Sequence, residues 1–165
     1  AAAEARRRGL DVRVGTLDNA DLAEASFDVV TMWDVIEHLA DPAAELDKAR
    51  RLLRPGGWLV VHTMDIDAPV SRLAGSRWPW LMDMHLYYFG KRTLRRMLSD
   101  HGYNVVWDGA QRRYLSLGYL ASRVAGMNDA LGRLSHALVG GLGLNHSAIP
   151  VNFGDLRTYI GQRVR

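Results

Sequence analysis

The feature that most constrains this chain is the alternation of strand-like and helix-like segments over its first hundred residues. Phe27 to Met32 is a short apolar run rich in β-branched residues, and Trp58 to Thr63 is a second. Runs of that length and make-up predict strands buried on both faces. Between them lies a segment that reads as an amphipathic helix. Asp41 can cap its start, and Pro42 suits its first turn because proline lacks the N–H that goes unpaired there. Leu46, Ala49 and Leu53 fall on one stripe with Leu52 beside it, while Asp47, Lys48, Arg51 and Arg54 take the other side. Pro55-Gly56-Gly57 then ends the helix. The repeated alternation predicts an α/β domain, with a mostly parallel sheet and helices on its faces.

The remaining segments extend this pattern. Ala1 to Arg8 predicts a helix stopped at Gly9, and Leu10 to Val14 a short strand. Asp18 to Ser26 predicts a polar turn or a weak helix. Met64 to Tyr88 predicts a long irregular connection marked by Trp78, Pro79 and Trp80, and loops that long in compact domains tend to carry function. Lys91 to His101 predicts a helix with Leu94, Met97 and Leu98 inward and Gly102 as its stop; Tyr103 to Trp107 predicts the strand after it. Tyr114 to Leu138 has helical apolar spacing broken at Gly126 and Gly132, and Gly140 to Gly143 reads as a flexible break. Val151 to Ile160 predicts the last strand, and the last two strands are expected to pair antiparallel at one edge.

Composition narrows the function classes. With 165 residues, the chain suits one domain with one core. It has no cysteine, which excludes disulfides, thiolate nucleophiles and Cys-based metal sites. A reducing, cytoplasmic setting is expected. Net charge is only +3 and the arginines are spread along the chain, so no nucleic-acid partner is expected. No apolar stretch approaches the ~20 residues needed to span a bilayer. Ala1 to Arg8 lacks the apolar core of a signal peptide and reads as the middle of a longer chain.

Phe27-Asp28-Val29-Val30, followed by Trp33-Asp34-Val35-Ile36-Glu37-His38-Leu39 and Asp41-Pro42, resembles the fourth-strand region of class I S-adenosylmethionine-dependent methyltransferases. Leu52-Leu53-Arg54-Pro55-Gly56-Gly57-Trp58-Leu59-Val60 is similar to their helix, Pro-Gly-Gly turn and fifth strand. His85-Leu86-Tyr87-Tyr88-Phe89, Thr93-Leu94 and His101-Gly102-Tyr103 resemble the next segment, and Val151-Asn152-Phe153-Gly154-Asp155 the last strand. The resemblance implies a partial Rossmann-like sheet from the order 3-2-1-4-5-7-6, with S-adenosylmethionine as cofactor. In the family, the first strand and its Gly-rich turn cradle the methionine and ribose end of the cofactor. That strand and turn have no counterpart here, and Gly140-Gly141-Leu142-Gly143 follows no buried strand. The chain is therefore expected to be one methyltransferase domain over 1–165 without its N-terminal cofactor-binding part, inactive by itself, with a helical lid or insertion over 112–148.

Cofactors in such sheets sit beyond the carboxyl ends of the strands. By resemblance, Thr16, Leu17 and Asp18 occupy the adenine-facing turn. Many relatives carry an acid where Thr16 stands, so Asp18 either reaches the adenine or belongs to an ordinary polar turn. Trp33 and Asp34 lie, by resemblance, beside the sulfonium, where an aromatic wall and a carboxylate suit a cation; the alternative for Trp33 is plain core. If the segment from Asp34 is helical, Asp34, Glu37 and His38 share a face. His38 suits a general base near neutral pH, and His85, ahead of Tyr87, Tyr88 and Phe89, is read as a catalytic residue in the acceptor pocket. Glu37, His38 and His85 are also a possible ligand set for a divalent ion. The ubiquinone-pathway O-methyltransferases and the small-RNA 3′-end 2′-O-methyltransferases carry a similar Glu-x-x-Glu-His with a later His and use a metal. The residues favour cleft lining first, a base second and a metal third, so no metal is expected. Trp78 and Trp80 either wall an acceptor or anchor the loop. Residues 112–138, basic through Arg112, Arg113, Arg123 and Arg133 and apolar on the other side, read as an edge helix, a lid, a dimer face or a contact for a membrane surface or lipid-like substrate.

The function expected from these readings is methyl transfer from S-adenosylmethionine to an O, N or C atom of a small-molecule acceptor. A non-catalytic methyltransferase-like binding module and a metal-assisted nucleic-acid methyltransferase are the alternatives.

Overall fold

The computed structural model describes every residue except Ala1, Arg112, Gly126, Met127, Asn152 and Arg165. Its strands are β1 (Phe27–Trp33), β2 (Leu53–Met64), β3 (Tyr103–Ala110), β4 (Arg113–Ser116), β5 (Ala148–Val151) and β6 (Leu156–Arg163). The main sheet runs β1-β2-β6-β3, which is the 4-5-7-6 half of the order implied by the resemblance. β1 and β2 are parallel, and β6 lies antiparallel to both β2 and β3. The main sheet thus has one parallel pairing and two antiparallel ones, and its last two strands, β3 and β6, pair antiparallel at one edge as the sequence predicts.

Parallel pairing of β1 and β2 needs a crossover. Helix α2 (Pro42–Leu52) supplies it, and Asp41 caps it as predicted, its Oδ1 accepting from Ala44 N at 3.0 Å. β2 begins earlier than the predicted Trp58. Leu53 pairs with Phe27, the next pair is Val29 with Trp58, and the Pro-Gly-Gly stretch bulges out between them. Gly56, at φ 79°, adopts a backbone that side-chain-bearing residues avoid.

The core lies on one face of the sheet. After the short helix α3 (Pro69–Ala74), helix α4 (Lys91–Asp100) joins α2 there, and Leu46, Ala49, Leu94 and Leu98 bury against Leu59, Val61, Val105 and Tyr159. The Tyr103 hydroxyl donates to Leu46 O at 2.9 Å, so its burial leaves no unpaired group; burial holds its ionisation above the ordinary tyrosine range. The opposite face presents Val29, Trp33 and Trp58, all exposed.

Three local expectations are corrected. Helix α1 (Ala2–Arg7) and its stop at Gly9 form as predicted, with Ala1 outside the described residues, but Leu10 to Val14 is not a strand. A strand exists only where a neighbour takes its backbone groups. Here the Arg6 guanidinium donates to Val12 O at 2.8 Å, and Leu10 and Val14 are exposed. Second, the predicted last strand is two: Val151 ends β5, which pairs with β4, and β6 begins only at Leu156, with Asn152 outside the described residues. Third, Gly132 breaks nothing. It lies inside α6 (Asp129–Gly141), against α5 (Leu117–Ala125), where a Cβ would overlap Ala125; the small residue lets the two helices approach. The break predicted at Gly126 lies outside the described residues.

One ion cluster ties α4 to the sheet. The buried Asp108 carboxylate meets Lys91 Nζ at 3.1 Å, Arg95 at 2.5 Å and Arg157 at 2.6 Å. Burial pushes its pKa up, but the three cations more than offset this and hold it below the ordinary carboxylate value. Such a group adds stability above its unfolded pKa of about 3.9, which is lost as pH falls through the lower folded value. Asp108→Asn should cost about 1–3 kcal/mol at neutral pH. In thermal melts, the gap from the native chain should narrow below about pH 4; a gap unchanged from pH 7 to pH 3 would count against this role.

Candidate functional site

β1 ends at Trp33, and the chain reverses at Asp34, whose φ of 50° is uncommon for a residue other than glycine. Asp34 N donates to His62 O at 3.0 Å, which holds this reversal to β2. A single 3-10 turn, Ile36–His38, follows. The face that Asp34, Glu37 and His38 would share on a helix therefore does not form. The Asp34 carboxylate turns toward β2 instead, with Oδ1 3.8 Å from His62 Nε2.

Ile36 is fully buried and pins the turn, which carries Glu37 inward to full burial as well. Glu37 Oε2 accepts from Thr63 Oγ1 at 2.9 Å, whereas Oε1 has no hydrogen-bond partner among the described residues. The Glu37 carbonyl accepts from Leu86 N at 2.9 Å and Tyr87 N at 3.1 Å, which draws the far end of the long loop against the turn. His38 Nδ1 lies 2.9 Å from Met84 O, and His85 Nδ1 lies 2.7 Å from Trp80 O. A carbonyl can only accept, so each neutral ring carries its proton on Nδ1 and keeps a lone pair on Nε2. The two rings are 4.7 Å apart. One ligand atom from each of Glu37, His38 and His85 lies within 4.8 Å of the other two.

This donor set fits a divalent cation. A buried carboxylate oxygen without a partner is costly unless a cation meets it. Imidazoles whose second nitrogen is bonded to a carbonyl are the form in which histidine binds metal. The geometry thus favours the use of these residues that the sequence ranks last.

A cleft of about 420 Å³ opens between the 13–22 segment and β1, lined by Thr16, Leu17, Val30, Met32 and Val35 among others. Thr16 N donates to Asn19 Oδ1 at 2.8 Å, and a Cβ on Gly15 would overlap that same oxygen, so this turn needs its glycine. Asp18 is not among the lining residues. Its carboxylate meets Lys48 Nζ at 2.6 Å and, ahead of Glu45, raises the pKa of that lysine, so it tethers the turn to α2. Trp33 and Asp34 stand at the strand tip beside this cleft without lining it. Trp33 is half exposed, which sets aside the plain-core alternative, and its ring lies 5.1 Å from that of His62.

Trp78 and Trp80 anchor the loop. Their indole Nε1 atoms both donate to Asp155 Oδ2, at 2.9 and 3.0 Å. Sequence reasoning misses His62, Thr63 and Asp155. Polar residues at the carboxyl end of an otherwise apolar run are a signal that points to the first two; His62 is buried, with Nδ1 2.9 Å from Thr158 Oγ1. Nothing in the sequence singles out Asp155.

A family model described as a methyltransferase domain matches residues 2–107. The ubiquinone biosynthesis O-methyltransferase of Cereibacter sphaeroides is 37% identical over 73 residues, 44% of this chain and 30% of that protein. A probable S-adenosylmethionine-dependent methyltransferase of Mycolicibacterium smegmatis is 46% identical over 59 residues, 36% of this chain and 23% of that one. The stretches aligned thus span less than a third of these relatives. Among solved structures, a methyltransferase of Thermotoga maritima described as a possible histamine N-methyltransferase has a TM-score of 0.64 at 20% identity, covering 98% of this chain and 68% of its own. The 1,6-didemethyltoxoflavin-N1-methyltransferase of Burkholderia thailandensis, solved with S-adenosylhomocysteine, has a TM-score of 0.54 at 14% identity, covering 99% and 56%. With a family model over more than half of its residues and the expected half-sheet in place, the chain belongs to the methyltransferase-domain family, in the class I S-adenosylmethionine-dependent fold.

Proposed function

We propose that this chain serves methyl transfer from S-adenosylmethionine to an oxygen of a small-molecule acceptor, with a divalent cation held by Glu37, His38 and His85. The observation that carries the cation is the buried Glu37 Oε1, without a hydrogen-bond partner among the described residues, on a carboxylate grouped with two histidines whose Nδ1 atoms are already bonded. The choice of oxygen leans on the ubiquinone O-methyltransferases among the relatives. S-adenosylmethionine supplies an electrophilic methyl group, and a divalent cation makes a nearby hydroxyl more acidic.

The chain's own residues supply the setting. Thr16, Leu17 and Val30 offer the adenine an apolar cleft at the strand tips. Trp33 and Asp34 give the sulfonium an aromatic wall and a carboxylate. His38 and His85 meet the acceptor between the 3-10 turn and the loop, and Thr63 holds the Glu37 carboxylate in place. The main work is to hold donor and acceptor in line and away from water. A second reading follows from the same lone pair on His38 Nε2: the ring itself takes the acceptor's proton.

Calorimetry with Mn²⁺ tests the first reading. The chain should bind one ion, and His38→Ala or His85→Ala should each weaken it at least about tenfold, with circular dichroism unchanged. Where methyl transfer is assayed, chelator should abolish it. Turnover that survives chelator but not His38→Ala would replace the cation by the base.

The acceptor reading extends to a lipid-like molecule at the cytoplasmic face of a membrane. Residues 111–153 hold four arginines and one aspartate, which is the whole net charge of +3. In the same arm, Leu131, Leu134, Leu138 and Leu142 are all exposed, between 56% and 70%. An apolar stripe on a cationic element suits a surface of anionic lipid. No described helix is long and apolar enough to cross a membrane. The chain should co-sediment with phosphatidylglycerol vesicles, less so at high salt, and the double variant Leu134→Asp, Leu138→Asp should stay in the supernatant. Equal sedimentation of both would leave the arm as a lid or dimer face.

A further inference from the structure

We infer that Asp155 is a positioning residue for His85, acting through Trp80; this rests on the reading of Glu37, His38 and His85 as a cation site. Asp155 is buried at the entry to β6, where its carbonyl accepts from Asp65 N at 2.7 Å. Its Oδ2 accepts both indole N–H groups of the loop, Trp78 at 2.9 Å and Trp80 at 3.0 Å. A carboxylate receiving two N–H donors makes strong, oriented bonds.

The two indoles have different consequences. Trp78 is buried with Met64 and Leu156 in a small apolar cluster, against which Trp80 and Tyr88 also pack. Trp80 is only half buried, and its backbone carbonyl takes the His85 Nδ1 proton at 2.7 Å. The atom that decides which nitrogen of His85 faces Glu37 and His38 thus belongs to the residue whose side chain Asp155 holds. His38 depends on the same loop through Met84 O. Between Trp78 and Gly90 the chain forms neither helix nor strand, so no ladder sets the position of these carbonyls. Turn bonds within the loop, the Glu37 carbonyl and side-chain bonds set it instead, and Asp155 is the carboxylate among those side chains. Neutral imidazole in water prefers its proton on Nε2, the form that cannot ligate through that atom. Holding the Trp80 carbonyl in reach selects the other tautomer.

The test compares the native chain with Trp80→Phe, Asp155→Asn and Trp78→Phe. Long-range ¹H–¹⁵N spectra of the metal-free protein at mildly alkaline pH read the His85 tautomer, assigned by difference from His85→Gln. Calorimetry reads Mn²⁺ affinity. The native chain should show the Nδ1–H form. Trp80→Phe and Asp155→Asn should move His85 toward Nε2–H and weaken Mn²⁺ by about tenfold or more, the range for residues that orient a ligand. Trp78→Phe should lower the melting temperature and leave both readouts as they were. The inference is overturned if Trp80→Phe matches Trp78→Phe in tautomer and affinity. If Trp80→Phe does not fold, Asp155→Asn against Trp78→Phe decides in the same way. A native chain that binds no Mn²⁺ sinks the cation reading, while the tautomer comparison still decides the role of Asp155.

Discussion

Everything at the candidate site depends on β1 and β2 being parallel neighbours. Parallel strands end on the same side of the sheet, so the crossover through α2 brings the tips Trp33 and Met64 together. The reversal at Asp34 can then bond to His62, and the 3-10 turn can insert Glu37 against Thr63. An antiparallel hairpin would send those tips to opposite edges. The antiparallel β6, laid beside β2, adds its starting end to the same place, and with it Asp155.

Beyond the strand tips, individual hydrogen bonds of side chains and loop backbone take over from the ladder. The long loop is placed by a set of directed bonds: both tryptophan indoles to Asp155, Leu86 and Tyr87 to the Glu37 carbonyl, and Ser71 Oγ to Asp65 O at 2.9 Å. Buried polar groups must be paired, and here the pairing gives the loop its shape. Among the described residues Glu37 Oε1 departs from this accounting, and it belongs to the carboxylate that lies within reach of His38 and His85. An unpaired buried oxygen is a cost that folding alone does not explain.

Much of the fold was legible because its signals are local. The Asp41-Pro42 cap, the stripe of Leu46 and Ala49 and the stop at Gly102 each act within a few residues of themselves. The failures share one cause, which is dependence on a partner. Leu10 to Val14 has strand composition but no strand beside it. Gly132 looks like a breaker until Ala125 is seen packed against it. Val151 and Leu156 read as one strand, yet they pair with different neighbours, β4 and β2.

The sequence by itself determined the parallel α/β unit, the family resemblance and the identities of Glu37, His38 and His85, because periodicity, capping and motif order are written along the chain. Only the tertiary structure decided what those residues can do together. Residue type says that an imidazole can be base or ligand. Which of its nitrogens is free, and what stands opposite, is set by carbonyls and carboxylates that come from distant segments.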